Sequence, residues 1–271
     1  MLRLAIAGMA GRMGRAVAEL ALADPAITLT GGLIRPERER VTDLALPTNI
    51  RITTDAPAVL RESDVLIDFT QPAATARYAR ACAEAGCALV TGTTGLSDDQ
   101  LNELRTAAAR VPILHATNFS LGIAVLRAVL PALVRALADW DVEIVEHHHR
   151  HKRDAPSGTA LALLEAIRAG RPETSLTLVT GRQGNALRQP GEIGVHAIRG
   201  GGEPGRHTVM LGSEDELLEL THRVHSRRAY AAGSLVAAKW LAGRPPGWYG
   251  IDDLLAERFG GSLPSAAIDG L

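Results

Sequence analysis

The sequence predicts an α/β protein, with a doubly wound parallel sheet in its first half and a central α+β region carrying a mixed or antiparallel sheet. Up to residue 120, short apolar runs alternate with amphipathic helical patterns. Beyond it, extended segments follow one another across Gly- and Pro-rich turns, with few helices between them. A parallel strand covered on both faces reads as a continuous apolar run, whereas strands in succession imply antiparallel or mixed pairing.

The elements follow in order. Leu2–Ala7 is a strand, Gly11–Ala23 a helix and Ile27–Ile34 a second strand. Val65–Phe69, Ala88–Thr91 and Ile113–His115 are further strands, separated by helices over Pro72–Ala85 and Ser97–Arg110. Ser97 before Asp98 and Asp99 suits a helix start, because a capping hydroxyl and early acids satisfy exposed N–H groups. A long helix over Leu121–Ala138 leads to the strand Asp141–His149, followed by a helix over Ser157–Ala169. Leu176–Thr180, Gly194–Arg199, Thr208–Gly212 and Glu216–Val224 are extended. Ala229–Leu241 is a final helix, expected to pack back on the first domain. The predicted domains are therefore 1–120 with 229–271, interrupted by 121–228.

Composition limits the function classes. The 271 residues suffice for one large or two modest domains. A chain that is 46% apolar and 22% charged has the profile of a soluble globular protein. Its net charge of -1 gives no global pull toward nucleic acid or membrane, so local clusters must carry any anion binding. No stretch approaches the ~20 apolar residues of a membrane span. The N-terminal apolar run stops at Gly8, short of a secretory signal. Cys82 and Cys87 fit core positions in a reducing cytoplasm rather than a disulfide framework.

Gly8-Met9-Ala10-Gly11-Arg12-Met13-Gly14 lies between the first strand and the first helix. A glycine turn there lets backbone approach a pyrophosphate, beside a helix N-terminus whose N–H groups favour anions. The motif departs from GxGxxG in placing Ala10 at the middle glycine. Gly92-Thr93-Thr94-Gly95, Asp68-Phe69-Thr70 and Thr117-Asn118-Phe119-Ser120 end other strands. Each alone is an ordinary loop. Together with the glycine turn they converge on one rim, where ligands of such sheets collect.

The segment from Glu146 to Ala160 carries four histidines and three cationic side chains before a Ser-Gly-Thr helix opening. Side chains alternate along a strand, so His147 and His149 share one face and His148 takes the other. The imidazoles cannot all converge there, and no HExxH or CxxC spacing supplies a metal centre. A solvated basic turn would explain the charges but not their union with Ser-Gly-Thr. An anion site with proton donors fits both. Pro156 suits a first helical turn, and Ser157, Gly158 and Thr159 can offer N–H and hydroxyl groups to a carboxylate. Lys152 adds charge, and either a His or a Lys can transfer a proton.

GMAGRMGRA, DFTQP, TGTTG, ATNFSLG and EHHHRHKRDAPSGTAL together resemble the 4-hydroxy-tetrahydrodipicolinate reductase (dihydrodipicolinate reductase) family of the diaminopimelate route to lysine. The similarity runs in order from residue 1 to the final helix. It implies a Rossmann-type N-terminal domain completed by the C-terminal segment, and a central domain for substrate and tetramer contacts. It further implies a cytoplasmic homotetramer that reduces a cyclic dicarboxylate with NADPH or NADH and loss of water. By this resemblance His148 is the proton donor/acceptor and Lys152 the catalytic lysine. His149, Ser157, Gly158 and Thr159 fall on positions that hold substrate carboxylates. Gly8, Met9, Ala10, Gly11, Arg12, Met13, Gly92, Thr93, Thr94, Ala116, Thr117, Asn118 and Phe119 fall on the dinucleotide site. Two alternatives stand beside it: a reductase of another amino-acid precursor, and a non-catalytic NAD(P)-binding regulator that reuses the fold.

About twenty residues past the glycine loop, dinucleotide folds carry an acid that binds ribose hydroxyls and repels a 2′-phosphate. Here that position is Ile34, followed by Arg35, with Arg38 and Arg40 on the same loop. Gln71 stands where some family members have a basic residue. Arginine's planar fork suits phosphate, so NADPH is favoured, with Arg35 as its contact.

Overall fold

A computed structural model describes residues 1–35, 50–172 and 175–260. The chain enters through β1 (Leu2–Ala7), α1 (Arg12–Leu22), β2 (Ile27–Leu33), β3 (Arg51–Thr53) and α2 (Ala56–Leu60). It continues with β4 (Val65–Asp68), α3 (Pro72–Ala85), β5 (Ala88–Thr91), α4 (Asp98–Ala108) and β6 (Pro112–His115). A second unit, built mainly from Leu121–Ser226, follows with α5 (Leu121–Ala136), β7 (Asp141–His148) and α6 (Gly158–Gly170). It ends with β8 (Thr177–Val179), β9 (Glu192–Arg199), β10 (Arg206–Gly212) and β11 (Leu217–Arg223). The first unit resumes at Arg227 with α7 (Arg228–Leu241) and β12 (Gly247–Tyr249), and α8 (Ile251–Arg258) closes the described chain.

Seven parallel strands form the first sheet in the order β12-β6-β5-β4-β1-β2-β3. Strand order runs outward in both directions from β1 and β4, so their carboxyl ends flank the switch point where such folds bind ligands. β4 and β5 are wholly buried, which is why VLID and ALVT read as continuous runs. Helix boundaries have local causes. Pro72 opens α3 and Gly86, left-handed at φ 71, closes it. A capping box between Ser97 and Gln100 starts α4. Helix α7 packs on α1 and against β4, β5 and β6, as its apolar pattern predicts. The short elements β3, α2 and β12, and the helix α8, are additions to the sequence reading.

The second sheet has the order β11-β10-β7-β9-β8 and is mixed. β9 runs parallel to β7 and β8, whereas β10 is antiparallel to β7 and β11. Helices α5 and α6 pack together on one face, burying Val142, Ile144, Ile193, Val195, Val209 and Leu211. Arg171 closes the end of α5 by donating to the carbonyls of Val134, Leu137 and Trp140. Along β7 the inward positions run Val142, Ile144, Glu146, His148. The last two are polar.

Candidate active site

In the first unit, the turn after β1 is held by a hydrogen bond from Gly11 N–H to the Gly8 carbonyl at 2.8 Å. Gly8 has φ +77, and a Cβ on Gly14 would lie 2.2 Å from the Gly8 carbonyl oxygen. Only glycine lets the helix approach the turn so closely. Gly11 caps α1 without a side-chain hydrogen bond, and the first turn of α1 carries no acid. That N-terminus therefore keeps its N–H groups and positive end for an anion, which fits a dinucleotide pyrophosphate. Met9 is fully buried with its sulfur against Gly32, so its contribution to a ligand is backbone. Ala10 is buried, Met13 half-buried, and Arg12 exposed at the first helical position.

The neighbouring strand ends are tied together by Asp68, which is fully buried. Its carboxylate accepts hydrogen bonds from the hydroxyls of Thr70 and Thr75 (both 2.5 Å), Thr91 (2.9 Å) and Thr93 (3.3 Å). Burial raises its pKa, against the pull of those hydroxyls. This network fixes Thr93, while Gly92 and the exposed Thr94 complete the loop. A Cβ on Gly92 would strike the Phe69 ring, which packs edge-on against Phe119 with centroids 5.7 Å apart. Ala116 donates to the Thr91 carbonyl at 3.1 Å, and Asn118 Oδ1 accepts from Ser120 N–H at 2.8 Å, leaving Thr117 exposed. Arg35 lies exposed just past β2. Arg38 and Arg40 lie outside the described residues.

In the second unit, β7 delivers Glu146 and His148 to the inner face, beyond the helix-covered core. Glu146 is fully buried. It accepts from His148 Nδ1 at 2.5 Å, from both Arg199 terminal nitrogens at 2.8 and 2.7 Å, and from Ser157 N–H at 3.0 Å. Burial alone would raise the Glu146 pKa, but Arg199, His148 and Ser157 together bring it below the usual carboxylate value. Burial lowers the His148 pKa, opposed by Glu146 and aided by Lys152 and Arg199, so the ring is neutral at pH 7. His207, packed edge-on 5.1 Å from His148, is pushed down to about 4, chiefly by burial.

Lys152 Nζ donates to both oxygens of Asp154 at 2.9 Å. That bond is the chief cause holding the Asp154 carboxyl below its usual value. Ser157 is the N-cap of α6, its hydroxyl accepting from Ala160 N–H at 3.2 Å and pairing with His207 Nε2 at 3.1 Å. Both polar groups of Ser157 thus serve the scaffold. Gly158 and Thr159 form the first turn of α6. Pro156 does not: its peptide is cis and it precedes the N-cap. His149 lies just beyond β7, not on it, and is half-buried near His151, their ring centroids 6.2 Å apart. Among the described residues no cluster of three His, Cys, Asp or Glu side chains could hold a metal. No helix among them is long and apolar enough to cross a membrane, and Cys82 and Cys87 are free and buried.

The family profile described as dihydrodipicolinate reductase, N-terminus, matches residues 2–119, and the one described as dihydrodipicolinate reductase, C-terminus, matches residues 122–255. The chain belongs to the dihydrodipicolinate reductase family. It is 54% identical to the 4-hydroxy-tetrahydrodipicolinate reductase of Thermomicrobium roseum over 94% of this chain and 100% of that one. The enzyme of the same name from Thiobacillus denitrificans is 42% identical, over 93% and 98%. Among solved structures, dipicolinate-bound dihydrodipicolinate reductase from Paenisporosarcina sp. TG-14 superposes with a TM-score of 0.79. It is 23% identical and covers 94% of this chain and 99% of its own, a likeness of fold. GenD2 from gentamicin A biosynthesis, solved in complex with NAD, has a TM-score of 0.60 at 20% identity, over 90% and 87% of the two chains.

Membership of a reductase family accounts for the glycine turn and for NAD(P)H as the cofactor class. Glu146, Arg199 and His207 are not among the site residues the sequence indicates, and Asp68 enters there only as a strand end on the rim. Period-two alternation on β7 carried the signal for Glu146, since a carboxylate in line with Val142 and Ile144 must be buried and paired.

Proposed function

We propose that the protein reduces 4-hydroxy-tetrahydrodipicolinate to tetrahydrodipicolinate in the diaminopimelate route to lysine. One hydride and one proton enter and one water leaves. The observation that carries this reading is the loop from β7 to α6, which gathers neutral His148, Lys152 and the first turn of α6 in one unit. When bound, NAD(P)H supplies the hydride. Gly8, Met9, Ala10, Gly11, Arg12 and Met13 hold its pyrophosphate, with Gly92, Thr93, Thr94 and Ala116 to Phe119 along the same rim. Arg35 favours NADPH. His149, Gly158 and Thr159 hold a substrate carboxylate, and Ser157 fixes the helix start that presents it. Lys152, oriented by Asp154, delivers the ring proton, while His148 offers its ring nitrogen to the substrate.

The two domains take the roles of cofactor binding (1–120 with 229–271) and substrate binding with assembly (121–228), in a cytoplasmic homotetramer. The second sheet supports that assembly. On the face opposite its helices, Ile198 is 48% exposed and Leu217 59% exposed. The reaction is tested by NADPH oxidation on adding the condensation product of aspartate semialdehyde and pyruvate. Oxidation that depends on that product is expected. Its absence, with cofactor still bound, would favour the regulator.

A further inference from the structure

Glu146 has no role in the reaction just described, yet among the described residues it is the most heavily engaged acid in the second unit. Its Oε2 accepts from His148 Nδ1 and Arg199 Nη1, and its Oε1 from Arg199 Nη2 and Ser157 N–H. All four donors reach a carboxylate with no solvent exposure. An ionised carboxylate only accepts, so His148 Nδ1 must carry the proton that faces it. When the ring is neutral, Nε2 is then the bare nitrogen. That nitrogen lies beside Gly205, where a Cβ would come within 3.2 Å of it. Glycine keeps that side of the ring clear.

The ring's surroundings explain why both an acid and an arginine are needed. Charged or titratable groups face His148 from every neighbouring element: Glu146 on its own strand, Arg199 at the end of β9, Lys152 in the loop, and His207 on β10, behind which stands His222 on β11. Glu146 alone would orient the imidazole but also draw a second proton onto it. The bidentate Arg199 neutralises that carboxylate, so orientation is kept and the proton is not drawn. We propose that Glu146 and Arg199 are positioning residues that lock His148 as its Nδ1–H tautomer and present an unprotonated Nε2 to the substrate. This rests on His148 acting in the reduction, and it adds which nitrogen acts and what sets it.

The test is nitrogen-15 NMR of histidine-labelled protein together with pH–rate profiles. In the wild type at neutral pH, His148 should report a protonated Nδ1 and a bare Nε2. In Glu146→Gln, the amide oxygen is taken by Arg199 and Ser157, so the NH2 turns toward His148 and the tautomer inverts. Turnover should then fall by at least ~100-fold, the scale of a correctly protonated acid–base group. Arg199→Met leaves Glu146 uncompensated and raises the His148 pKa, so the acid limb of the turnover profile should move up by at least ~1 pH unit. A purely structural ion pair predicts lower stability in both variants with tautomer and acid limb unmoved, and that result would overturn the proposal. So would an Nε2–H ring in the wild type. If Glu146→Gln does not fold, the wild-type spectrum and the Arg199→Met profile decide. Normal turnover in His148→Gln would instead sink the role of His148 in the reaction, while the tautomer measurements would still stand by themselves.

Discussion

Gly233→Ala sets two opposing effects against each other, and the structure decides which wins. Gly233 sits inside α7, where alanine is favoured over glycine by about 1 kcal/mol. A Cβ at that position, however, would lie 1.8 Å from the Phe119 carbonyl oxygen. Heavy atoms meet comfortably near ~3.5 Å, so the helix or the Phe119 loop must retreat by more than ~1 Å. The obstacle is backbone rather than the free end of a side chain, which places the cost at the upper part of the ~1–3 kcal/mol range for overpacking. The net loss is then about 2 kcal/mol, or a fall in Tm of roughly 4–8 °C for a unit of this size. Calorimetry reads the stability, and equilibrium titration with NADPH should show weaker binding, because Asn118 and Phe119 move with the carbonyl. An unchanged or raised Tm would refute the close contact between α7 and this loop.

Further expectations concern the two site clusters. Lys152→Ala should lower turnover by at least ~100-fold with cofactor affinity nearly unchanged; wild-type turnover would remove Lys152 from the chemistry. Thr159→Val should weaken inhibition by pyridine-2,6-dicarboxylate by about 1.5–3 kcal/mol, the worth of a hydrogen bond to a charged group, and equal inhibition would reduce Thr159 to a helix former. Arg35→Ala should raise KM for NADPH more than for NADH, whereas an equal effect on both would detach Arg35 from the 2′-phosphate. His207 titrates near 4 in the fold and at 6.5 ordinarily, so between those values the unfolded chain binds a proton that the folded chain refuses. Stability should therefore fall as pH drops from 6.5 toward 4, by on the order of 3 kcal/mol from this residue. Thermal melts of His207→Gln should show a shallower decline over that window, and an identical slope would refute the assignment.

What could be read from the chain was whatever is local. Val65–Asp68 and Ala88–Thr91 announce themselves because burial on both faces leaves apolar runs, broken only by Asp68 and Thr91 at their carboxyl ends, and Ser97 with Gln100 is a cap whose partners lie within one turn. β3 and β12 are three-residue edge strands whose existence depends on pairing with β2 and β6, so no periodicity marks them. The basic loop and the Ser-Gly-Thr helix start stand out because the charges and the helix opening are neighbours in the chain. The acid beneath them was only half legible: alternation on β7 places Glu146 inward, but its partner Arg199 is 53 residues away and arrives only through the register that sets His148 beside Arg199. Asp68 was noticed as a strand end, and its four threonine partners come from three different segments.

The return of the chain to its first unit has a consequence during synthesis. Helix α7 packs on α1 and on β4, β5 and β6, and it buries Ala231, Leu235, Ala238 and Leu241 in doing so. The residues through Ser120 leave the ribosome well before α7 exists, with Leu121–Ser226 made in between. At ~5–20 residues per second, that interval lasts from several seconds to about twenty. For that time the emerging sheet lacks one of its covers, and its apolar surface is open to chaperones or to a neighbouring nascent chain. The intervening unit, by contrast, is made mainly in one stretch, Leu121 to Ser226, and the α5–α6 pair that covers its sheet is made before four of its five strands.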